Sequence, residues 1–390
     1  MKKELELYVH IPFCVRKCAY CDFLSFSKGD QERASYVDAL IREIKSKKEQ
    51  FQDACVTSVF LGGGTPSILK GEETARIFRV LKENFTFLEQ AEITMEVNPG
   101  TVTEDKINAW KSSGVNRLSI GLQSVNDDEL KMLGRIHSFH EFLETWQLVR
   151  KAGFTNVNVD LISAIPGQTV ESWIKTLTTV ADLEPEHLSA YSLIIEEETP
   201  FYEKYGNEEG EKLLPDEDTE RNIYEVTEQI LNARGYHRYE ISNYAKDGFE
   251  CKHNLGYWNR KEYLGLGLGA SSLINETRFH NTNNLAEYLS AQWISKTGNE
   301  FYEKCSVVKE VQKLSKQEQM EEFMFLGLRK TEGVSEKAFK KAFQADIRSI
   351  YGDIIENLIE KGLLQNCADS LFLTKKGVDI SNYVMSEFLL

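Results

Sequence analysis

This chain of 390 residues has no apolar run near the ~20 residues that a membrane crossing needs, so no integral membrane segment is expected. It also lacks the start of a secreted protein. Lys2 and Lys3 are followed by Glu4 and Glu6, with no apolar stretch or small-residue cleavage site behind them, and a cytoplasmic location is expected. Positive charge is short: 46 Lys and Arg face 61 Asp and Glu, for a net charge of −15. Nucleic-acid binding is driven largely by cations that neutralise phosphates, so no nucleic-acid partner is expected. Cysteine is sparse and uneven. Of seven, Cys14, Cys18 and Cys21 fall within eight residues, while Cys55, Cys251, Cys305 and Cys367 are scattered. In a cytosolic chain a tight cluster reads as metal-binding rather than as a disulfide framework. The scattered four are expected to pack as small buried hydrophobes.

Proline is confined as well. All seven prolines lie between Pro12 and Pro215, which marks a change of architecture after the stretch Glu196–Glu220. That stretch holds eleven Asp and Glu against two Lys and reads as a solvated connection or face. Before it, β-rich runs alternate with longer amphipathic ones. Candidate strands are Leu5–Ile11, Val56–Leu61, Ala91–Val97, Arg117–Gly121, Asn156–Ile162 and His187–Ile195. Asn126 with Glu129 and Ser138 with Glu141 have capping-box spacing, which starts a helix. Six β-then-α units in a row predict a parallel sheet with helices outside, either doubly wound or curled toward a barrel. About 200 residues for six units fits an incomplete barrel rather than the eight-unit one.

After the run Gly265–Gly269 the sequence reads as mostly helical, with a further capping box at Ser315 and Glu318. The end alternates helical runs (Glu336–Phe343, Ile347–Lys361) with a strand pair near Leu363–Leu364 and Leu371–Thr374. That order resembles a winged-helix unit, read here as a packing element rather than a DNA reader given the acidic surroundings. The expected division is a core of residues 1–235 and a smaller C-terminal domain of residues 236–390.

The strongest local signal follows the first strand: His10-Ile-Pro-Phe-Cys14-Val-Arg-Lys-Cys18-Ala-Tyr20-Cys21-Asp-Phe23. Iron–sulfur clusters are held by cysteine thiolates. Spacings of three and two residues let one loop reach three corners of a cubane, and no fourth cysteine is present there, which leaves one iron open. The competing reading, a zinc site completed by His10, lacks the paired ligands and longer spacer of zinc fingers. With an aromatic, Tyr20, before the last cysteine, the run resembles the radical S-adenosylmethionine (SAM) signature. Tyr8-x-His10-Ile-Pro-Phe-Cys14 narrows the resemblance to the group that includes oxygen-independent coproporphyrinogen III oxidase and the HemW-type haem chaperone.

The resemblance implies a partial (β/α)6 barrel followed by a smaller, mostly helical C-terminal domain. It also implies a 4Fe–4S cluster on Cys14, Cys18 and Cys21, with SAM on the open iron. The turn Gly62-Gly63-Gly64-Thr65-Pro66 ends the second strand, where absent side chains would let SAM approach the backbone. By resemblance Tyr8, Tyr20, Gly63, Gly64, Thr65, Glu96, Gln123, Arg135, Asp160 and Ile194 line the SAM pocket. Glu96, Gln123 and Asp160 are expected at strand ends and Arg135 in the next helix. A polar residue at a loop end that merely satisfies backbone groups is the alternative for each.

Two differences separate the sequence from the oxidase. The oxidase carries a further cysteine two residues after the third ligand, where this chain has Phe23, and it has a long N-terminal extension, where only seven residues precede Tyr8 here. The run His253-Asn-Leu-Gly-Tyr257-Trp258 resembles a His-Asn-x-x-Tyr-Trp motif associated with haem binding in the HemW type. His253 is the expected haem ligand, with a structural histidine as the alternative reading; Cys251 and His10 are further candidates. The expected function is that of a haem chaperone, binding haem and passing it to an acceptor protein, whether or not that acceptor is membrane-associated. The alternatives are the oxidase reaction on porphyrinogen propionates and, less compatible with the acidity, a radical SAM enzyme acting on RNA.

Overall fold

The computed structural model describes residues 2–293 and 306–390. Six strands, β1 (Lys3–Ile11), β2 (Ala54–Gly63), β3 (Thr86–Val97), β4 (Arg117–Gln123), β5 (Val157–Ser163) and β6 (His187–Ser192), lie side by side in chain order and pair in parallel. Helices follow each of the first five, among them Asp30–Ser46, Gly71–Asn84 and Val170–Ala181. Right-handed crossovers between strands laid down in sequential order put every helix on the same side, so the sheet is singly wound like a barrel wall rather than doubly wound. It does not close: β6 pairs antiparallel with β8 (Asn243–Ala245), and β1 pairs with β9 (Tyr263–Leu266).

Strand period sets what each face holds. Leu5, Leu7, Val9 and Ile11 on β1, Leu118, Ile120 and Leu122 on β4, and Val157, Val159 and Leu161 on β5 are buried in the apolar core shared with the helices. The alternate positions are polar. Glu6, Ser58, Glu92, Thr94, Arg117, Ser119, Asn158, His187 and Ser189 are all buried. Strands covered on both faces ordinarily read as continuous apolar runs, so this alternation marks a polar barrel interior.

Strands extend the sheet beyond the six expected. β7 (His237–Arg238) and β8 continue it past β6, while β9, β10 (Ser271–Ile274), β11 (Thr277–Asn281) and β12 (Val308–Lys313) continue it past β1, giving twelve strands among the described residues. The sequence reading placed no strand between residues 236 and 313, because these runs are only two to six residues long and several of their partners, such as β1 for β9 and β6 for β8, lie far away in the chain. Residues 316–390 then form a mostly helical unit with its own apolar cluster, including Met324, Phe339, Tyr351, Leu371 and Phe388. Its three-stranded sheet has the order β13 (Val334–Ser335), β15 (Ser370–Leu373), β14 (Leu364–Cys367).

Several local expectations are corrected. Asn126 caps its helix through the Asp128 N–H, but Glu129 turns away to Ser124, Gln168 and Ser172. The boxes at Ser138–Glu141 and Ser315–Glu318 do form. Cys55 and Cys251 are buried, whereas Cys367 is exposed at the end of β14; Cys305 lies outside the described residues. The acidic stretch is not only a solvated face. Phe201 and Tyr205 are buried from it against Leu133, Ile162 and Ile165, and the Phe201 N–H donates to the Ala19 carbonyl, so it braces the cysteine loop.

Candidate cofactor site

The cysteine loop leaves β1 at its C-terminal end and is pinned by backbone. Cys14 N–H donates to the Phe26 carbonyl (3.0 Å), Gly64 N–H to Ile11 (2.9 Å) and Thr65 N–H to Phe13 (2.7 Å). His10 orients the returning strand of the loop. Its Nε2 lies 2.9 Å from the Leu24 carbonyl, an acceptor only, so Nε2 carries the proton and Nδ1 accepts from the Tyr8 hydroxyl at 2.9 Å.

The glycine turn also leaves room for the chain that packs on it. A Cβ on Gly64 would stand 2.7 Å from the Phe13 carbonyl oxygen and 2.8 Å from that of Ile11. One on Gly63, whose φ is +107°, would meet the His10 ring at 2.3 Å. The turn is glycine-rich because the cysteine loop packs on it.

The thiols of Cys14, Cys18 and Cys21 open into one cavity of about 510 Å³ at the C-terminal ends of the parallel strands, where barrel folds place their chemistry. Tyr20, Gly63, Gly64, Thr65, Glu96, Gln123, Arg135, Asp160 and Ile194 line the same cavity. Thr65 Oγ1 donates to Cys14 Sγ (3.4 Å), and Arg135 Nη1 to Cys18 Sγ (3.5 Å). Burial raises the Cys14 thiol and pushes Cys21 up to about 11, so the thiolate forms a cluster needs must be drawn out by the metal itself.

Around the thiols, Arg135 Nη2 donates to Asn98 Oδ1 (2.7 Å) and to the Gly121 carbonyl (2.8 Å), and Asn98 Nδ2 donates to Thr65 Oγ1 (2.8 Å). Arg135 sits in the loop after the helix Asp127–Met132, not in a helix as expected. Glu96 accepts from the Gly63 N–H (3.1 Å); burial, aided by Asp160, pushes its carboxyl up to about 8. Asp160 stands mid-strand rather than at the end of β5 and accepts from Ser119 Oγ (2.9 Å) and Asn158 Nδ2 (2.8 Å); burial raises it too. Gln123 ends β4 at φ +76°, where the β4–β5 pairing skips a residue, which turns the chain across the cavity mouth.

Residues 8–180 match the Radical SAM superfamily and residues 314–380 the HemN C-terminal domain. The chain is 36% identical to the "Heme chaperone HemW" of Lactococcus lactis over all of this chain and 98% of that one. It is also 36% identical to that of Bacillus subtilis over 98% of each. The chain belongs to the HemW family of radical SAM proteins. In fold it matches the solved coproporphyrinogen III oxidase (HemN) of Escherichia coli with a TM-score of 0.83, at 24% identity, over 100% of this chain and 90% of that one.

Family membership brings a 4Fe–4S cluster and SAM as cofactors, and the residues present fit them. Three thiols face one cavity, and among the described residues no fourth cysteine lines it. Among the described residues no three metal-ligating side chains converge on a point, as a mononuclear zinc site would require. Arg135 keeps its buried Nε without a hydrogen-bond partner. When bound, the cluster supplies single-electron chemistry to SAM; the chain's own part is to hold, orient and shield.

Two expected residues lie elsewhere. Tyr8 faces a second pocket on the other side of His10. His253, expected as a haem ligand, is 1% exposed, with Nδ1 2.8 Å from Ser58 Oγ and Nε2 3.1 Å from the Tyr257 hydroxyl, and its ring stacks on Phe60. Burial, with Arg117 nearby, holds it neutral, down at about 3, and it presents no free nitrogen to either cavity. Cys251 is fully buried at 3.5 Å from Glu92 Oε1, its thiol pushed up to about 12 by burial, and it is likewise no ligand in this arrangement. The helix Lys252–Trp258 instead plugs the barrel floor, with the N–H groups of Lys252 and His253 donating to the Glu92 carboxylate. Its glycine, Gly256, is required by Glu6, which an added Cβ would meet at 1.9 Å.

The sequence reading missed Asn98, Arg117, Ser119 and Asn158, all of which line the cluster cavity. Arg117 and Ser119 alternate with apolar residues along β4, as Asn158 and Asp160 do along β5, and that period-two polarity was the available signal.

Proposed function

We propose that this chain is a haem chaperone: it binds haem, keeps a SAM-liganded 4Fe–4S cluster, and delivers haem to an acceptor protein. The observation that carries this reading is the match over essentially the whole length to relatives that bear the name "Heme chaperone HemW". Phe23 agrees with it. Where the oxidase has a further cysteine, this chain sets a phenylalanine that is 61% exposed at the cavity mouth and lines both cavities. The likeness to the oxidase structure is one of fold and carries no activity.

In this reading Cys14, Cys18 and Cys21 ligate the cluster, and the glycine turn with Glu96, Gln123, Arg135 and Asp160 surrounds SAM. Residues 1–235 form the core and residues 236–390 the region that completes the haem function. The chaperone works in the cytoplasm, where it can reach a membrane-associated acceptor. No helix among the described residues is long and apolar enough to cross a membrane.

A chaperone needs tight retention of finished haem, and an oxidase needs release after each turnover. Anaerobically reconstituted protein should hold haem through a desalting column and convert no coproporphyrinogen with SAM and reductant. Vinyl product at about one turnover per second or faster, an ordinary enzyme rate, would replace the chaperone with the oxidase.

A further inference from the structure

A second pocket of about 460 Å³ lies on the flank of the barrel, between β1, β9, β10 and the helix Lys316–Gly327. Ligand pockets of this size take compact organic molecules. Its walls carry four aromatic rings, from Tyr8, Phe23, Tyr257 and Tyr263; Tyr257 and Tyr263 meet edge-to-face at 4.7 Å. Arg260, Lys261 and Arg278 also line it, and among the described residues no carboxylate does, in a chain with a net charge of −15.

The cations are held in place without being used up. Arg260 is clamped by Glu322 (2.7 Å) and Glu276, both set behind the wall. Arg278 gives one nitrogen to Glu322 (2.7 Å) and keeps its buried Nε without a hydrogen-bond partner. Lys261 holds Glu4 across open surface at 2.8 Å, with both side chains largely solvated, a pair worth little. Aromatic walls favour a flat apolar face, and guanidinium and ammonium groups favour carboxylates. Tyr257 is the member of the His-Asn-x-x-Tyr-Trp run that reaches this pocket, with His253 standing behind it.

We infer that this flank pocket is the haem seat, taking the macrocycle against Tyr8, Tyr257 and Tyr263 and the propionates at Arg278 and Lys261. The inference rests on the chaperone reading and adds the site to it. Haem then lies outside the SAM cavity, separated from it by Phe23 and the His10 side chain, so the two ligands bind together rather than in competition.

The test uses the full chain with its cluster and three probes: haem, a metal-free porphyrin with two propionates, and the dimethyl ester of that porphyrin. Haem is followed by absorbance and the others by fluorescence. The acid porphyrin should bind and the ester should bind about tenfold or more weakly, since charge-assisted hydrogen bonds are lost. Arg278→Gln and Lys261→Glu should each weaken haem and acid porphyrin about tenfold. Ser271→Trp, at an exposed position on the pocket wall, should block both without removing an ion pair. Cluster absorbance and SAM affinity should stay unchanged in all three and report that the fold is intact. Equal binding of acid and ester, unchanged haem affinity in the three variants, or displacement of haem by SAM would each overturn the pocket while leaving the chaperone reading standing. Failure of the unmodified protein to retain haem would overturn the chaperone reading itself.

Discussion

The cluster cavity and the flank pocket share Phe23, yet they are built in opposite ways. The cavity collects residues from the loop after β1, from β2 to β6, and from the loops beyond them. It mixes acids (Asp22, Glu96, Asp160, Glu196) with bases (Arg16, Lys17, Arg117, Arg135). The pocket draws on β1, on Phe23 and Leu24, on residues 257–278 and on Leu326, and among the described residues its charged lining is basic only. Strand ends of one barrel converge whatever the loops contain, so a cavity there needs only the parallel sheet. The pocket exists only because β9 pairs with β1 and the C-terminal unit docks beside them. That docking rests on named contacts: Arg260 and Arg278 on Glu322, Lys330 Nζ on Asn259 Oδ1 (2.6 Å), and the Arg329 guanidinium 4.4 Å from the Trp258 ring centroid.

The comparison breaks most sharply at the cysteines. Replacing Cys14, Cys18 or Cys21 with Ala should abolish the charge-transfer absorbance and the reduced-state EPR signal while haem retention persists. Cys55→Ala should leave both spectra in place. Loss of haem together with the cluster would mean that the two regions are one site.

The next largest effect is expected at the glycine turn. Gly64→Ala drives a Cβ into the Ile11 and Phe13 backbone, which cannot swing aside as a side chain can. Overpacking of this kind costs about 1–3 kcal/mol. Thermal unfolding should shift down and iron content should fall, because the turn carries the loop; unchanged iron per chain would refute that coupling.

Arg135→Met should act more narrowly. It removes charge-assisted bonds to Asn98, Gly121 and Cys18, each worth about 1.5–3 kcal/mol. Calorimetry under argon should find SAM bound about tenfold or more weakly, with haem affinity unmoved.

A further effect concerns proton linkage in the barrel interior. Burial pushes Glu6, like Glu96, up to about 8. A carboxyl raised on folding adds stability that is complete below its unfolded value near 4.5 and is lost as pH rises through about 8. Protein free of cofactors should therefore lose stability across that window, by up to about 1.4 kcal/mol per pH unit for each such group. Glu6→Gln should flatten the slope, and a slope equal to that of the parent in urea titrations would show Glu6 ionised in the native state.

Much of the cluster cavity was legible because its signals are local. Cys14, Cys18 and Cys21 share one loop, and Gly63, Gly64 and Thr65 share one turn. The six core strands were readable because each alternates or runs apolar between helices with recognisable starts. His253 shows where local reading fails: a histidine beside aromatics looks like a ligand until Ser58 and Tyr257, reached through β2 and one helical turn, occupy both its nitrogens. Asp160 and Arg135 were named from resemblance but set on the wrong part of their elements, since strand ends and loop starts are not marked by periodicity.

By itself, then, the sequence determined the cysteine spacing, the six parallel units and the acidic character, because composition and short-range period fix them before folding. Only the tertiary structure decided that β9 to β12 extend the sheet, that Gly63 and Gly64 make room for the cysteine loop, and that three cations line one pocket while the acids they pair with stand outside its lining. Those features join residues up to about 300 positions apart, and contacts at such separation are set by packing rather than by any pattern along the chain.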